Sequence, residues 1–318
     1  IRLLKNKGVS FIYISHRLEE IFQLCDRVTV MRDGETIGVE EVKNTNANNL
    51  VKMMIGRELG SLFDKASVNQ GNVRLDVENL SKKNLFHDVY FKVHAGEVLG
   101  IAGLMGAGRT EILKTIFGSY TADSGTLRVD NKNICLKKYN PEKALKLGIG
   151  YITEDRKEEG LMLGKNIKKN ISLTNFKRVT DVSCVINEKK ESRLAKDAVS
   201  EFHIRCSGID QICKNLSGGN QQKVVFAKWL LTSPNILLLD EPTRGIDVGA
   251  KREIYTLMSL LAKNGAAIVM VSSELPEILG MSDRILVVHE GAVAGILDRK
   301  DATQEKIMTL ATGGNIND

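Results

Sequence analysis

The strongest constraint on this chain is a pair of segments set about 130 residues apart. In the first, the apolar run Val98 to Ala102 leads into Gly103-Leu104-Met105-Gly106-Ala107-Gly108-Arg109-Thr110. After Glu111 comes a helical pattern with Ile112, Leu113 and Ile116 on one side. The loop matches G-x-x-x-x-G-K-[ST] at every fixed position except the lysine, which is Arg109. Glycines let backbone N–H groups curl around a polyphosphate, a helix start adds positive potential, and the Thr110 hydroxyl can ligate Mg²⁺. The second segment is Ile236-Leu237-Leu238-Leu239 followed by Asp240 and Glu241. Four successive apolar residues suit a central parallel strand covered on both faces, and acids at its carboxyl end sit where open α/β sheets bind ligands. Alone, the first segment also describes a ligand-free turn. Together they predict an α/β nucleotide-binding fold. The planar guanidinium of Arg109 can meet phosphate but not take an ammonium's point-charge position without displacement, so binding is expected to survive better than fast turnover.

Sliding the sequence on itself by 257 positions aligns Gly8–Gly38 with Gly265–Gly295 without a gap. Ten pairs are identical, among them Ser15/Ser272, Glu20/Glu277, Asp26/Asp283, Arg27/Arg284 and Gly34/Gly291. Both copies read as a buried strand (Phe11–Ser15 and Ile268–Ser272), a short helix, an alternating strand and a glycine turn. If the second copy ends a domain, the first ends an earlier domain whose beginning is absent. Residues 1–57 are then a C-terminal remnant, 58–72 a polar connection, and 73–318 a second domain.

Composition agrees. A length of 318 residues suggests about two domains, and 42% hydrophobic with 26% charged residues allows a substantial core. The start at Ile1 carries no signal-peptide pattern and looks like a cut. The five cysteines form no C-x-x-C pair, which fits a reducing cytosol. No apolar stretch approaches the ~20 residues of a membrane span. A net charge of +6 without a long Lys/Arg run argues against a nucleic-acid partner.

Leu216-Ser217-Gly218-Gly219-Asn220-Gln221-Gln222-Lys223 lies just ahead of the Asp-Glu strand. It resembles the signature sequence of ATP-binding cassette (ABC) ATPases. The resemblance covers nearly the whole chain. GLMGAGRTE, YITEDRKEEGL (Tyr151–Leu161), DEPTRGIDVGAKREIY (Asp240–Tyr255) and VSSELPEILGMSDRI (Val271–Ile285) look like the second half of tandem-cassette monosaccharide-import ATPases, most nearly the ribose-import type. Galactose, xylose, arabinose and autoinducer sugars stay open.

The resemblance implies a P-loop cassette with an inserted helical subdomain at about 156–233, preceded by the truncated first cassette. It places ATP on Gly103, Gly106, Ala107, Gly108, Arg109, Thr110 and Glu111, with Mg²⁺ on Thr110 and Asp240. Glu241 is the residue that polarises water. Ser217, Gly218, Gly219, Asn220 and Gln221 would serve the γ-phosphate held by the opposite cassette, and Asp247 would belong to a dimer-contact loop. The family's switch histidine falls at His16, but the second copy has Ser273. Its Mg²⁺-linking glutamine is replaced by Glu154. With Arg109, these departures imply a weakened second-cassette site that lends its signature to a better site in the first. Phe86 is the nearest aromatic for stacking adenine. The charged run Arg156–Glu159 reads either as a solvated cluster or, with Asn187–Phe202, as lying near the membrane subunits. Implied partners are two membrane permease subunits, the other cassette of the longer chain and, indirectly, an extracytoplasmic sugar-binding protein. The implied location is the cytoplasmic face of the membrane. A soluble tandem-cassette ATPase acting on ribosomes or DNA, and a non-enzymatic nucleotide-binding module, are the competing readings.

Overall fold

Strands that are apolar at every position need neighbours on both edges and cover on both faces. The computed structural model describes residues 1–15, 18–32, 35–46, 49, 50, 53, 63, 65, 70–181 and 185–315, and in it those strands obtain both. The first copy of the repeat contributes helices α1 (Arg2–Lys5) and α2 (Leu18–Leu24) and the hairpin β1 (Arg27–Arg32) and β2 (Glu35–Glu41). An antiparallel sheet follows: β3 (Val73–Lys82), β4 (Phe86–His94), β6 (Ser124–Val129) and β7 (Lys132–Asn133), in the order β4-β3-β6-β7.

The central sheet has the order β12-β11-β5-β10-β9-β8. Its strands are β5 (Val98–Gly103), β8 (Ile149–Ile152), β9 (Ile236–Asp240), β10 (Ala267–Val271), β11 (Arg284–His289) and β12 (Ala292–Asp298). All neighbours are parallel except β11 and β12. Alternate residues feed two cores. Leu99, Ile101, Leu238, Val269 and Leu286 pack with the antiparallel sheet and α3 (Arg109–Ile116). Val98, Leu237, Leu239, Ile268, Met270 and Val287 face the helical layer. The period of two in side-chain direction makes each strand a divider between layers.

The remaining helices are α4 (Pro141–Lys146), α5 (Ile167–Ser172), α6 (Phe176–Val179), α7 (Glu188–Glu201), α8 (Gly218–Leu230), α9 (Val248–Lys263), α10 (Leu275–Met281) and α11 (Gln304–Ala311). Side-chain caps mark several starts: Asn140, Asn166, Asn187, Asp247 and Thr303 each accept backbone N–H groups of the first turn. Between β8 and α5, Arg156–Gly160 forms one π-helical turn, capped by Asp155. Among the described residues no helix is long and apolar enough to cross a membrane.

The repeat is geometrical as well as sequential. At the same offset of 257, α2 corresponds to α10, β1 to β11 and β2 to β12, residue for residue at both ends. Even the register shift recurs, between Val30 and Met31 and again between Val287 and Val288. The leading strand is the exception. Ile268–Ser272 carries β10 to Val271, whereas Phe11–Ser15, expected to be a buried strand, is irregular and exposed, with Ile12 at 97% and Ile14 at 94%. The physical reason is pairing. β10 is hydrogen-bonded to β5 on one side and β9 on the other, while no described strand lies beside Phe11–Ser15. An apolar run without ladder partners is only a strand in propensity.

Two residues of the stretch 58–72 are docked. The Phe63 ring packs against Gly280 and lies 5.0 Å from the Tyr255 ring, and Lys65 Nζ is 2.6 Å from Asp283 Oδ1.

Trp229, the chain's single tryptophan, meets the Phe117 ring edge-on at 5.6 Å and reports on this core. Leu238 is fully buried between the layers, whereas Val39 of β2 is 56% exposed. Leu238→Ala is expected to lower the unfolding free energy followed by Trp229 fluorescence by about 2–5 kcal/mol. Val39→Ala should move it by less than about 0.5 kcal/mol.

Candidate functional site

Three neighbouring strands of the central sheet end together, and each hands a different chemistry to the same place. β5 ends in the glycine loop, β9 ends at Asp240 with Glu241 next, and β10 ends before Ser272 and Ser273. Leu104 and Met105 at the loop's apex are exposed, while Ala107 turns into the core. Gly106 and Gly108 have φ of +80° and +96°, in the region that favours glycine. Gly108 is also hemmed in: a Cβ there would lie 2.9 Å from the Leu85 carbonyl oxygen, because the β3–β4 turn roofs the loop. Nothing approaches within 4 Å of the Cβ position of Gly106, so that part of the cradle is open.

Thr110, in the first turn of α3, donates its hydroxyl to Asp240 Oδ1 at 3.2 Å. Tyr151 of β8 donates to Asp240 Oδ2 at 3.1 Å. Burial pushes the Asp240 carboxyl above its ordinary range, and the two hydroxyl donors and the Arg109 charge oppose that rise. Glu241, at a left-handed φ of +47°, accepts from Ser273 Oγ at 3.1 Å. Burial raises its carboxyl to about 7, against the opposing pull of Arg109 and Ser273. Arg109 Nη1 donates to the Ser272 carbonyl at 3.0 Å, so the guanidinium ties the loop to the end of β10.

Glu154 is not joined to this group. Its carboxylate pairs with Arg244, the exposed residue that follows Thr243 beyond β9. The Ser217 side chain caps α8, accepting from Asn220 Nδ2 at 3.0 Å, and is exposed; Gly219 and Gln221 are buried. Asn220 accepts the Arg205 N–H at 2.8 Å. Glu111 lies half-buried in the first turn of α3. His16 lies outside the described residues. Phe86, the candidate for stacking adenine, is only 3% exposed and belongs to the core; a register shift in the β3–β4 pairing breaks the alternation of β4 and leaves Phe86 on the buried side with Val89 and Phe91.

Behind the site is a residue whose role sequence reasoning missed. Glu277 is 2% exposed and receives four donors: Thr243 Oγ1 at 2.6 Å, Tyr255 OH at 2.5 Å, Lys251 Nζ at 3.0 Å and Ser272 Oγ at 2.8 Å. It thereby ties the segment after β9, the helix α9 and the end of β10 to α10. The signal was present in the repeat: Ser15 Oγ donates to Glu20 Oε2 at 3.0 Å, the same bond one copy earlier.

The gathered groups suit nucleotide and Mg²⁺. The glycine loop is open at Gly106, and a hydroxyl and a carboxylate stand together as hard oxygen donors; Mg²⁺ takes its other ligands from phosphates and water.

The curated ribose import ATP-binding protein RbsA of Bacillus licheniformis is 52% identical over 314 residues, covering 99% of this chain and 63% of that protein. The RbsA of Clostridium tetani is 51% identical over 311 residues, covering 98% of this chain and 61% of that protein. The chain thus spans less than two thirds of the length of these relatives. Among solved structures, MJ1267 in its ADP conformation, an ATP-binding cassette of an ABC transporter, superposes with a TM-score of 0.60 at 21% identity, over 74% of this chain and 94% of that one. CbiO1 from Clostridium perfringens, part of the ABC transporter complex cbiONQ, gives 0.60 at 24%, over 74% and 93%. At such identities the likeness speaks for the fold, and the fold is that of an ATP-binding cassette. The model of the ABC transporter family matches residues 86–244. That stretch opens with β4, whose turn roofs the glycine loop, and closes just past the two acids of β9, so it takes in the cradle, the signature turn and both carboxylates in the order in which the sheet assembles them: the chain belongs to the ABC transporter family.

Proposed function

We propose that this chain is part of the ATP-hydrolysing subunit of an importer that carries a monosaccharide, ribose in the first instance, across a membrane. The observation that carries the ATP-binding part is the Thr110–Asp240 pair at 3.2 Å, set at the mouth of the glycine cradle. The names of the curated relatives support the sugar, and they favour import over action on ribosomes or DNA. Residues 1–57 are read as the end of a first cassette, 58–72 as the connection, and 73–318 as a second cassette with a helical subdomain at about 156–233. The partners are two permease subunits, the remainder of the first cassette and, through the permeases, an extracytoplasmic sugar-binding protein. The site works on the cytoplasmic face.

In this reading the loop and helix start formed by Gly103, Gly106, Ala107, Gly108, Arg109, Thr110 and Glu111 surround the phosphates, and Thr110 Oγ1 with Asp240 would hold Mg²⁺. The metal supplies neutralisation of the developing phosphate charge. Glu154, paired with Arg244, reaches a metal only by exchanging that partner. Glu241 orients and polarises water in its ionised form alone. Burial raises that carboxyl and so disfavours the ionised form, and Ser273 stands where the first copy has His16. Arg109, engaged by the Ser272 carbonyl, must leave that oxygen to reach phosphate. The site therefore binds better than it turns over, and the exposed Ser217 at the start of α8 serves the nucleotide of the first cassette, where His16 would act.

Three outcomes test this. In the two-cassette polypeptide, Ser217→Arg is expected to cut ATP turnover more than about 10-fold while MgATP still binds; full turnover and transport would contradict the pairing. Arg109→Lys should tighten MgATP binding to this chain about 10-fold by equilibrium dialysis, since a point charge reaches phosphate without leaving a carbonyl. The third follows from Glu241, whose folded carboxyl lies above its ordinary 4.5. Its contribution to stability is complete below that value and is lost as pH rises through about 7. Glu241→Gln should therefore match the wild type near pH 4.5 and exceed it by about 1–2 kcal/mol near pH 8 in denaturant titrations, part exposure reducing the full effect.

A further inference from the structure

The charged run after β8 is more than a solvated cluster. Arg156, the first residue of the π-turn, is half-buried, and its guanidinium reaches across to two other segments. Nη1 donates to the Arg244 carbonyl at 2.7 Å and Nη2 to the Gly245 carbonyl at 3.1 Å. Nε points to Gln221 Oε1, in the first turn of α8, at 3.5 Å. A planar fork of five donors can span two successive carbonyls and a side-chain amide together; an ammonium cannot.

The two segments it joins are already in contact. A Cβ on Gly218 would lie 2.8 Å from Arg156 Nη2 and 3.0 Å from the Gly245 carbonyl oxygen, and a Cβ on Gly219 would lie 2.8 Å from the Ala250 Cβ. The glycines of the signature thus have a use within this chain: they let the turn Ser217–Gly219 lie against the loop that carries Asp247. The base of the clamp is itself held. Asp155 accepts the N–H groups of Lys157 and Glu158, Lys114 pairs with Glu159 at 2.7 Å, and Lys228 Nζ donates to the Gly160 carbonyl. Burial lowers that ammonium to about 8.

We propose that Arg156 is a positioning residue that fastens the signature turn Ser217–Gly219 to the Gly245–Asp247 loop, so that both are presented as one body to the nucleotide of the opposite cassette. The inference rests on the reading above, in which the signature serves that nucleotide. Arg156 touches no reacting atom; it sets the spacing between two groups that must arrive together.

The test is steady-state ATP turnover of the two-cassette polypeptide against MgATP concentration. Arg156→Ala is expected to lower kcat about 10-fold with KM within about 2-fold, because spacing is lost while the glycine loops and the acids that hold the nucleotide stay intact. Arg156→Lys, which keeps the charge and one carbonyl contact, should recover part of kcat. On the present chain, hydrogen exchange should quicken at residues 219–221 and 245–248 in Arg156→Ala and stay unchanged in β9, which separates loosening from misfolding. Wild-type kcat in Arg156→Ala, or full recovery by lysine, would overturn the proposal. Ser217→Arg keeps the two failures apart. If it abolishes turnover while Arg156→Ala is fully active, only the clamp is wrong; if it too is fully active, the reading beneath it is wrong.

Discussion

The structure depends on the two-sided pairing of β10. Lying between β5 and β9, it satisfies its ladder on both edges and divides its side chains between two cores. Because the three strands are parallel, their carboxyl ends lie at one edge of the sheet, and that edge receives the glycine loop, the two acids and the serine pair. Phe11–Ser15 supplies the control within the same chain. It has a comparable apolar run and the same following helix, yet with no described strand beside it, it stays irregular. The site is thus a consequence of sheet order before it is a consequence of any single residue.

A second layer of order is polar. Burying the Glu277 carboxylate costs solvation, and four donors from three segments compensate it. The arrangement places the Ser272 carbonyl where Arg109 reaches it and Ser273 where it reaches Glu241. The Ser15–Glu20 bond persists in the first copy even though its strand does not form, so that contact is local.

Much of this was legible in the sequence. The apolar runs at 98–102, 236–239 and 268–271 announced buried strands, the second of them parallel, and glycine spacing announced the loop between β5 and α3. The repeat announced α2, β1 and β2 through their better-supported counterparts. The pairings across the chain were not legible. Nothing in Arg109 says that its guanidinium goes to the carbonyl of Ser272, 163 residues away. Nor does Tyr151, in an apolar strand, disclose that its hydroxyl lies on Asp240. Phe86 looked available for a ligand because an aromatic near a loop and an aromatic in a core are alike until the irregular pairing of its strand is known. Arg156 read as part of a solvated cluster or of a surface near the membrane subunits, because charge in sequence carries no direction. Such contacts are set by sheet order and close approach, which composition and periodicity do not encode.

The unit of α10, β11 and β12, matched end for end by α2, β1 and β2, has a consequence for how the molecule comes into being. Its hairpin closes through neighbours a few residues apart, so little chain entropy is lost in forming it. It therefore has the low contact order of an early-forming piece. As ribosomal synthesis proceeds, the earlier of the two units can close its hairpin before the distant strands of the central sheet have emerged. The later one has to wait only for a place at the sheet's margin, where β11 adds to β5 and leaves β12 outermost.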